Sequence, residues 1–136
     1  MFKITLALTL LTAQASPLKK TDDFLKESQT AFEKASKETT FEKKSTVLKA
    51  LEKSFEATLN QYEKTNPTEG DDQEQAVARL FYTLEPVFEL AKLKEKNKKD
   101  CARKKQDVLT GDNQPDDAPT SPNAKEALRW IDLLCK

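Results

Sequence analysis

The chain contains no histidine, only two glycines and a single methionine, Met1. Without histidine there is no Ser-His-Asp or Cys-His machinery, no histidine general base, no His-ligated zinc and no Glu-x-x-His di-iron site. With methionine confined to Met1, haem ligation through His or Met side chains is excluded as well. The glycines, Gly70 and Gly111, stand too far apart to build a phosphate-cradling loop. The expectation from these absences is a protein that is not an enzyme and that carries no cofactor and no metal.

Long apolar runs are missing too. The longest, Ile4 to Ala13, is about half of the roughly 20 residues needed to span a bilayer. It follows Lys3 and precedes Ala13-Gln14-Ala15, which fits the small-x-small rule of signal peptidase. Residues 1–15 therefore read as a cleaved signal peptide, and the mature chain from Ser16 as a soluble protein of the bacterial periplasm or the extracellular space. No transmembrane segment is expected.

Excess charge of either sign is absent. Loss of Lys3 with the leader turns 23 basic and 23 acidic residues into 22 and 23, so a global polyanion or polycation role is not indicated. Residues 16–136 suffice for one core and are too few for two ordinary domains. Few glycines, few β-branched residues and abundant Lys, Glu, Ala and Leu make that domain compositionally helical.

Cys101 and Cys135 are the only cysteines, and in an oxidising compartment the economical pairing is one disulfide. Closing a loop of 34 residues is worth roughly 3–4 kcal/mol in the chain-entropy model. Neither a Cys-x-x-Cys pair nor a His stands nearby to favour a metal site.

Periodicity supplies the helices. A first is predicted over Asp22 to Lys37, with Phe24, Leu25, Ala31, Phe32 and Ala35 on one side. Thr39-Thr40-Phe41-Glu42 reads as a Thr-x-x-Glu capping box opening a second, whose stripe is Phe41, Leu48, Leu51, Phe55, Leu59 and Tyr62. A long third is predicted from Asp71 to Leu109, kinked at Pro86, which lacks the N–H for the Tyr82 carbonyl. At about 100° per residue its stripe of Val77, Leu80, Leu84, Phe88 and Ala91 runs on into Glu95, Lys98 and Lys105, so the core face becomes charged. Ser121-Pro122 opens the last helix, with Ala124, Ala127, Leu128, Ile131, Leu134 and Cys135 as its stripe. The fold predicted is all-α, a four-helix bundle with a long kinked third helix and a disulfide joining the third to the fourth. In size and helix pattern alone it is similar to the small periplasmic four-helix bundles.

Four groups of residues are candidates for function. Asp112, Asn113, Asp116 and Asp117 offer oxygen ligands, but their spacing is not that of an EF-hand and Pro115 and Pro119 mark a solvated loop. The segment 92–105 sets eight basic residues against Glu95 and Asp100; Lys98, Lys99, Arg103 and Lys104 are its candidate anion-binding side chains. No aromatic is interleaved for base stacking, so nucleic acid is not the expected partner, and a solvated helix face, which needs no partner, is the favoured account of the charge. Tyr82, Glu85 and Glu89 lie to one side of the Pro86 kink and could bind a polar ligand or act as paired carboxylates. Trp130 and Leu133 turn off the main stripe of the last helix, either as an exposed partner anchor or as a wider buried face. The function expected is that of a small exported binding protein with a protein partner. Recognition of an anionic surface or polymer comes second, and a carboxylate-only hydrolase third.

Overall fold

A computed structural model describes residues 18–65, 72–110 and 121–136. Over these residues the chain forms five α-helices and no strand: α1 (Thr21–Ser36), α2 (Phe41–Thr65), α3 (Asp72–Ala91), α4 (Lys98–Thr110) and α5 (Pro122–Leu134). The architecture is all-α and bundle-like, as the periodicity predicts. The expected leader at 1–15, the expected turn at 66–71 and the acidic residues Asp112, Asn113, Asp116 and Asp117 lie outside the described residues.

Local chemistry sets the helix ends. At the start of α1 the Asp23 carboxylate accepts the Lys20 backbone N–H at 2.9 Å, placing a negative charge at the positive end of the helix dipole. The cap of α2 lies one residue later than the Thr-x-x-Glu pattern predicts: Thr40, not Thr39, accepts the backbone N–H of Lys43, at 3.2 Å. At α5 the sequence reading is accurate, since Ser121 accepts the N–H of Ala124 at 3.1 Å and Pro122 stands first in the helix.

The expected long third helix is two helices. α3 continues through Pro86, which is buried, and stops at Ala91 instead. Lys92 and Leu93 donate to the carbonyls three residues back, Glu89 and Leu90, which tightens and closes the last turn. Asn97 then opens α4: its side-chain oxygen accepts the Asp100 N–H at 2.8 Å, and its amide donates to the Asp100 carboxylate. The physical reason is phase. A helix continued straight from Ala91 would turn Glu95 and Lys98 toward the core. Breaking at 92–97 resets the rotation, so that Val108 is buried and Cys101 half-buried while Lys98 and Lys99 stay in solvent.

α3 packs against all four other helices and is the centre of the fold. Phe55 of α2 joins the first three: its ring stacks on Phe24 at 4.0 Å between centroids and meets Phe81 and Phe88 at 5.6 and 6.2 Å. Phe24, Phe55, Leu80 and Leu84 are wholly buried. α4 contributes least, with Val108 its one buried residue. It is held by the Cys101–Cys135 disulfide, Cα atoms 6.2 Å apart, which joins its first turn to the residue that ends α5.

Two outcomes are expected. Phe55→Ala should cost about 3–5 kcal/mol in urea unfolding, because three helices lose their shared ring and a cavity remains. Reducing the disulfide should raise amide hydrogen exchange in residues 98–110 and 121–136 before α1, α2 and α3 respond. Unchanged exchange there on reduction would show that α4 is held by its packing alone.

Candidate functional site

A trough of about 600 Å³ lies between α1 and α2. Residues at helical spacing line it from both sides, with Ala31 and Lys34 from α1 and Lys43, Val47, Ala50 and Leu51 from α2. Ala31 and Ala50 are among its lining side chains and are too short to fill the space between the helices. The floor is apolar and the rim carries both signs: Glu27 and Glu38 against Lys34 and Lys43. Glu27 is already engaged by Lys19 at 2.9 Å, a pairing of two partly exposed side chains. An apolar floor with a few charged groups at its edge suits apolar side chains of a partner, oriented by the rim. Sequence reading assigns Ala31 to the core stripe, whereas it is half-buried, and Ala50 is exposed. The signal was small residues on the facing sides of two helices joined by a four-residue connection.

The basic segment divides into neutralised and free groups. Lys92 pairs with Glu52 at 3.1 Å, Arg103 with Asp100 at 2.9 Å and Lys105 with Asp132 at 3.9 Å. Lys104 is largely buried, its side chain 13% exposed, and lies 3.5 Å from Glu89 and 3.9 Å from Asp107. Of the four expected anion-binding residues, Arg103 and Lys104 are thus committed to carboxylates of the same chain. Lys98 and Lys99 are exposed and make no ion pair among the described residues, as do Lys94 and Lys96 just before them. The free positive charge therefore gathers at the start of α4 and in the turn that leads to it.

Tyr82, Glu85 and Glu89 share the outer side of α3 and form no enclosed constellation with one another. Tyr82 is exposed, with its ring tilted against Phe81 at 5.8 Å. Glu85 is half-buried, and Glu89 reaches across to Lys104. Glu89 therefore acts first as a tie between α3 and α4.

Trp130 and Leu133 are core residues, 0% and 5% exposed, and the exposed-anchor reading is corrected. α5 packs against α2, α3 and α4, so its apolar face must be wider than a single stripe. The indole N–H of Trp130 donates to the Ser28 hydroxyl at 2.8 Å, and Ser28 donates in turn to the Glu126 carboxylate. The same Glu126 oxygen accepts from Arg129 at 2.6 Å. Arg129 lies 4.0 Å over the Phe32 ring, whose edge meets Trp130 at 5.2 Å. A polar chain thus clasps α1 to α5 with every link supplied by the next.

Among the described residues no three His, Cys, Asp or Glu side chains are placed to hold a metal ion, and no helix is long and apolar enough to cross a membrane. Comparison of the chain with protein-family models, with curated proteins and with solved structures gave no match in any of the three.

Ser28→Ala should leave the Trp130 N–H buried without its acceptor and lower stability by about 1–3 kcal/mol. Urea unfolding followed by the fluorescence of this single tryptophan measures it. A loss below about 0.5 kcal/mol would mean that the hydroxyl is dispensable to the clasp.

Proposed function

We propose that this is a small exported binding protein without catalytic chemistry, and that the trough between α1 and α2 receives an apolar segment of a partner protein. The observation behind the proposal is the apolar floor at Ala31, Val47 and Leu51 bordered by Lys34, Glu38 and Lys43. A disulfide and the absence of histidine agree with it, the first because disulfides persist outside the reducing cytosol. The partner expected is a short amphipathic helix whose apolar face enters the trough, with charges of both signs flanking it.

A second reading is favoured by one observation, the four lysines at 94, 96, 98 and 99 that make no ion pair among the described residues. In that reading they attract an anionic surface or polymer, such as lipid phosphates or a sulfated glycan.

One experiment separates the two. The oxidised chain is used to capture partners from its native exported fraction as wild type, as Ala50→Glu and as the double variant Lys98→Glu/Lys99→Glu. Docking in the trough predicts at least a tenfold loss of affinity for the retained protein with Ala50→Glu and no change with the double variant. Retention on heparin or anionic vesicles that falls steeply with salt and disappears in the double variant would instead establish the second reading. Binding indifferent to both changes would eliminate both surfaces.

A further inference from the structure

The two cysteines of the disulfide belong to helix ends of opposite polarity. Cys101 is the fourth residue of α4, and since helical Cα–Cβ bonds tilt toward the N-terminus its Sγ leans over the first turn. Backbone N–H groups gathered there carry the positive end of the helix dipole, which favours a thiolate. Cys135 caps the C-terminal end of α5, where carbonyl oxygens gather and a thiolate is disfavoured. Both cysteines are only half-buried, and they line a cleft of about 430 Å³ together with Asn97, Lys96, Lys98 and Lys136. Of the acids near these residues in sequence, Asp100 is held by Asn97 and Arg103 and Asp132 lies 3.9 Å from Lys105, while Glu95 beside Lys96 is exposed.

We propose that this cleft is a thiol-exchange site for small anionic thiols, in which the incoming sulfur joins Cys135 and Cys101 departs as the thiolate. The lysines draw in a thiol that bears carboxylates. Its thiolate donates an electron pair to Sγ of Cys135, the Cys101–Cys135 bond breaks, and that bond's electron pair goes to Sγ of Cys101. A better-stabilised thiolate is the better leaving group, so the helix poles choose which sulfur is attacked. A second anionic thiolate then attacks the small-molecule sulfur of the mixed disulfide, releasing the dimeric small disulfide and leaving Cys135 as a thiol. Two thiols are oxidised, the protein disulfide is reduced, and the two protons that the thiols give up are taken by the two cysteines. This inference is independent of what docks between α1 and α2.

The test treats the intact oxidised chain with glutathione, quenches with acid after less than one turnover, alkylates free thiols and maps both cysteines by peptide mass spectrometry. The glutathione adduct is expected on Cys135 in roughly five- to tenfold excess, with Cys101 alkylated. The variant Lys96→Gln/Lys98→Gln/Lys136→Gln, with helix content checked by circular dichroism, should react with glutathione several-fold more slowly. With cysteamine, a cationic thiol, the variant should react no more slowly than wild type. An adduct divided equally or found mainly on Cys101 overturns the proposal. So does a variant that slows both thiols alike, or neither.

Discussion

An α-helix advances by a fixed rotation per residue, and in this chain that rotation cannot serve both halves of the segment from 72 to 110 at once. The stripe that places Val77, Leu80, Leu84 and Phe88 in the core ends at Ala91, and the positions that would extend it are occupied by charge. One helix would have to bury Glu95 and Lys98 or leave Val108 in water. The turn at 92–97 removes the conflict, and the rest of the architecture follows from it. α3 is free to be the hub that touches every other helix, and α4 becomes a separate element with its own orientation.

α4 is accordingly stabilised in a different way from its neighbours. It buries one side chain fully, whereas α3 buries nine. What it lacks in apolar contact is supplied by cross-links to neighbouring helices: the disulfide to the end of α5, Lys104 to Glu89 of α3 and Lys105 to Asp132 of α5. An exposed pair such as Lys105–Asp132 contributes little, about 0.2–1 kcal/mol. The covalent bond is the strongest of the three ties. The same arrangement leaves Lys94, Lys96, Lys98 and Lys99 in solvent at and just before the start of α4, the helix with the fewest buried side chains.

Most of the helical fold was legible in the sequence, because apolar spacing and caps are local signals. The bounds of α1, α2 and α5 fall within a residue or two of the periodicity, and the Ser121-Pro122 start of α5 was read correctly. The break after Ala91 was legible only in part. Lys, Glu and Leu are good helix formers, and no Gly or Pro interrupts 92–97. The one local mark was Asn97 followed three residues later by Asp100, a cap that a highly charged stretch conceals. Pro86 lies inside α3, as the sequence predicts, and the helix runs on past it to Ala91. The candidate sites were less legible, since they depend on what faces a residue across the bundle. Trp130 leaves its helix's main stripe and is still buried, because Ser28 and Phe32 of α1 meet it from the other side. The trough is lined in part by two alanines on different helices, and neither stands out within its own helix.

The clasp between Trp130 and Ser28 spans 102 residues of sequence. During synthesis at roughly 5–20 residues per second, about 5–20 s pass between the appearance of one partner and the other. Throughout that interval α1 lacks the helix against which it closes, and Phe32 has no indole to meet. The bundle therefore cannot complete itself from α1 alone, and its final packing waits on the thirteen residues of α5. A chain built in this way remains incompletely folded, and open to whatever handles incompletely folded proteins, at least until Trp130 has been made.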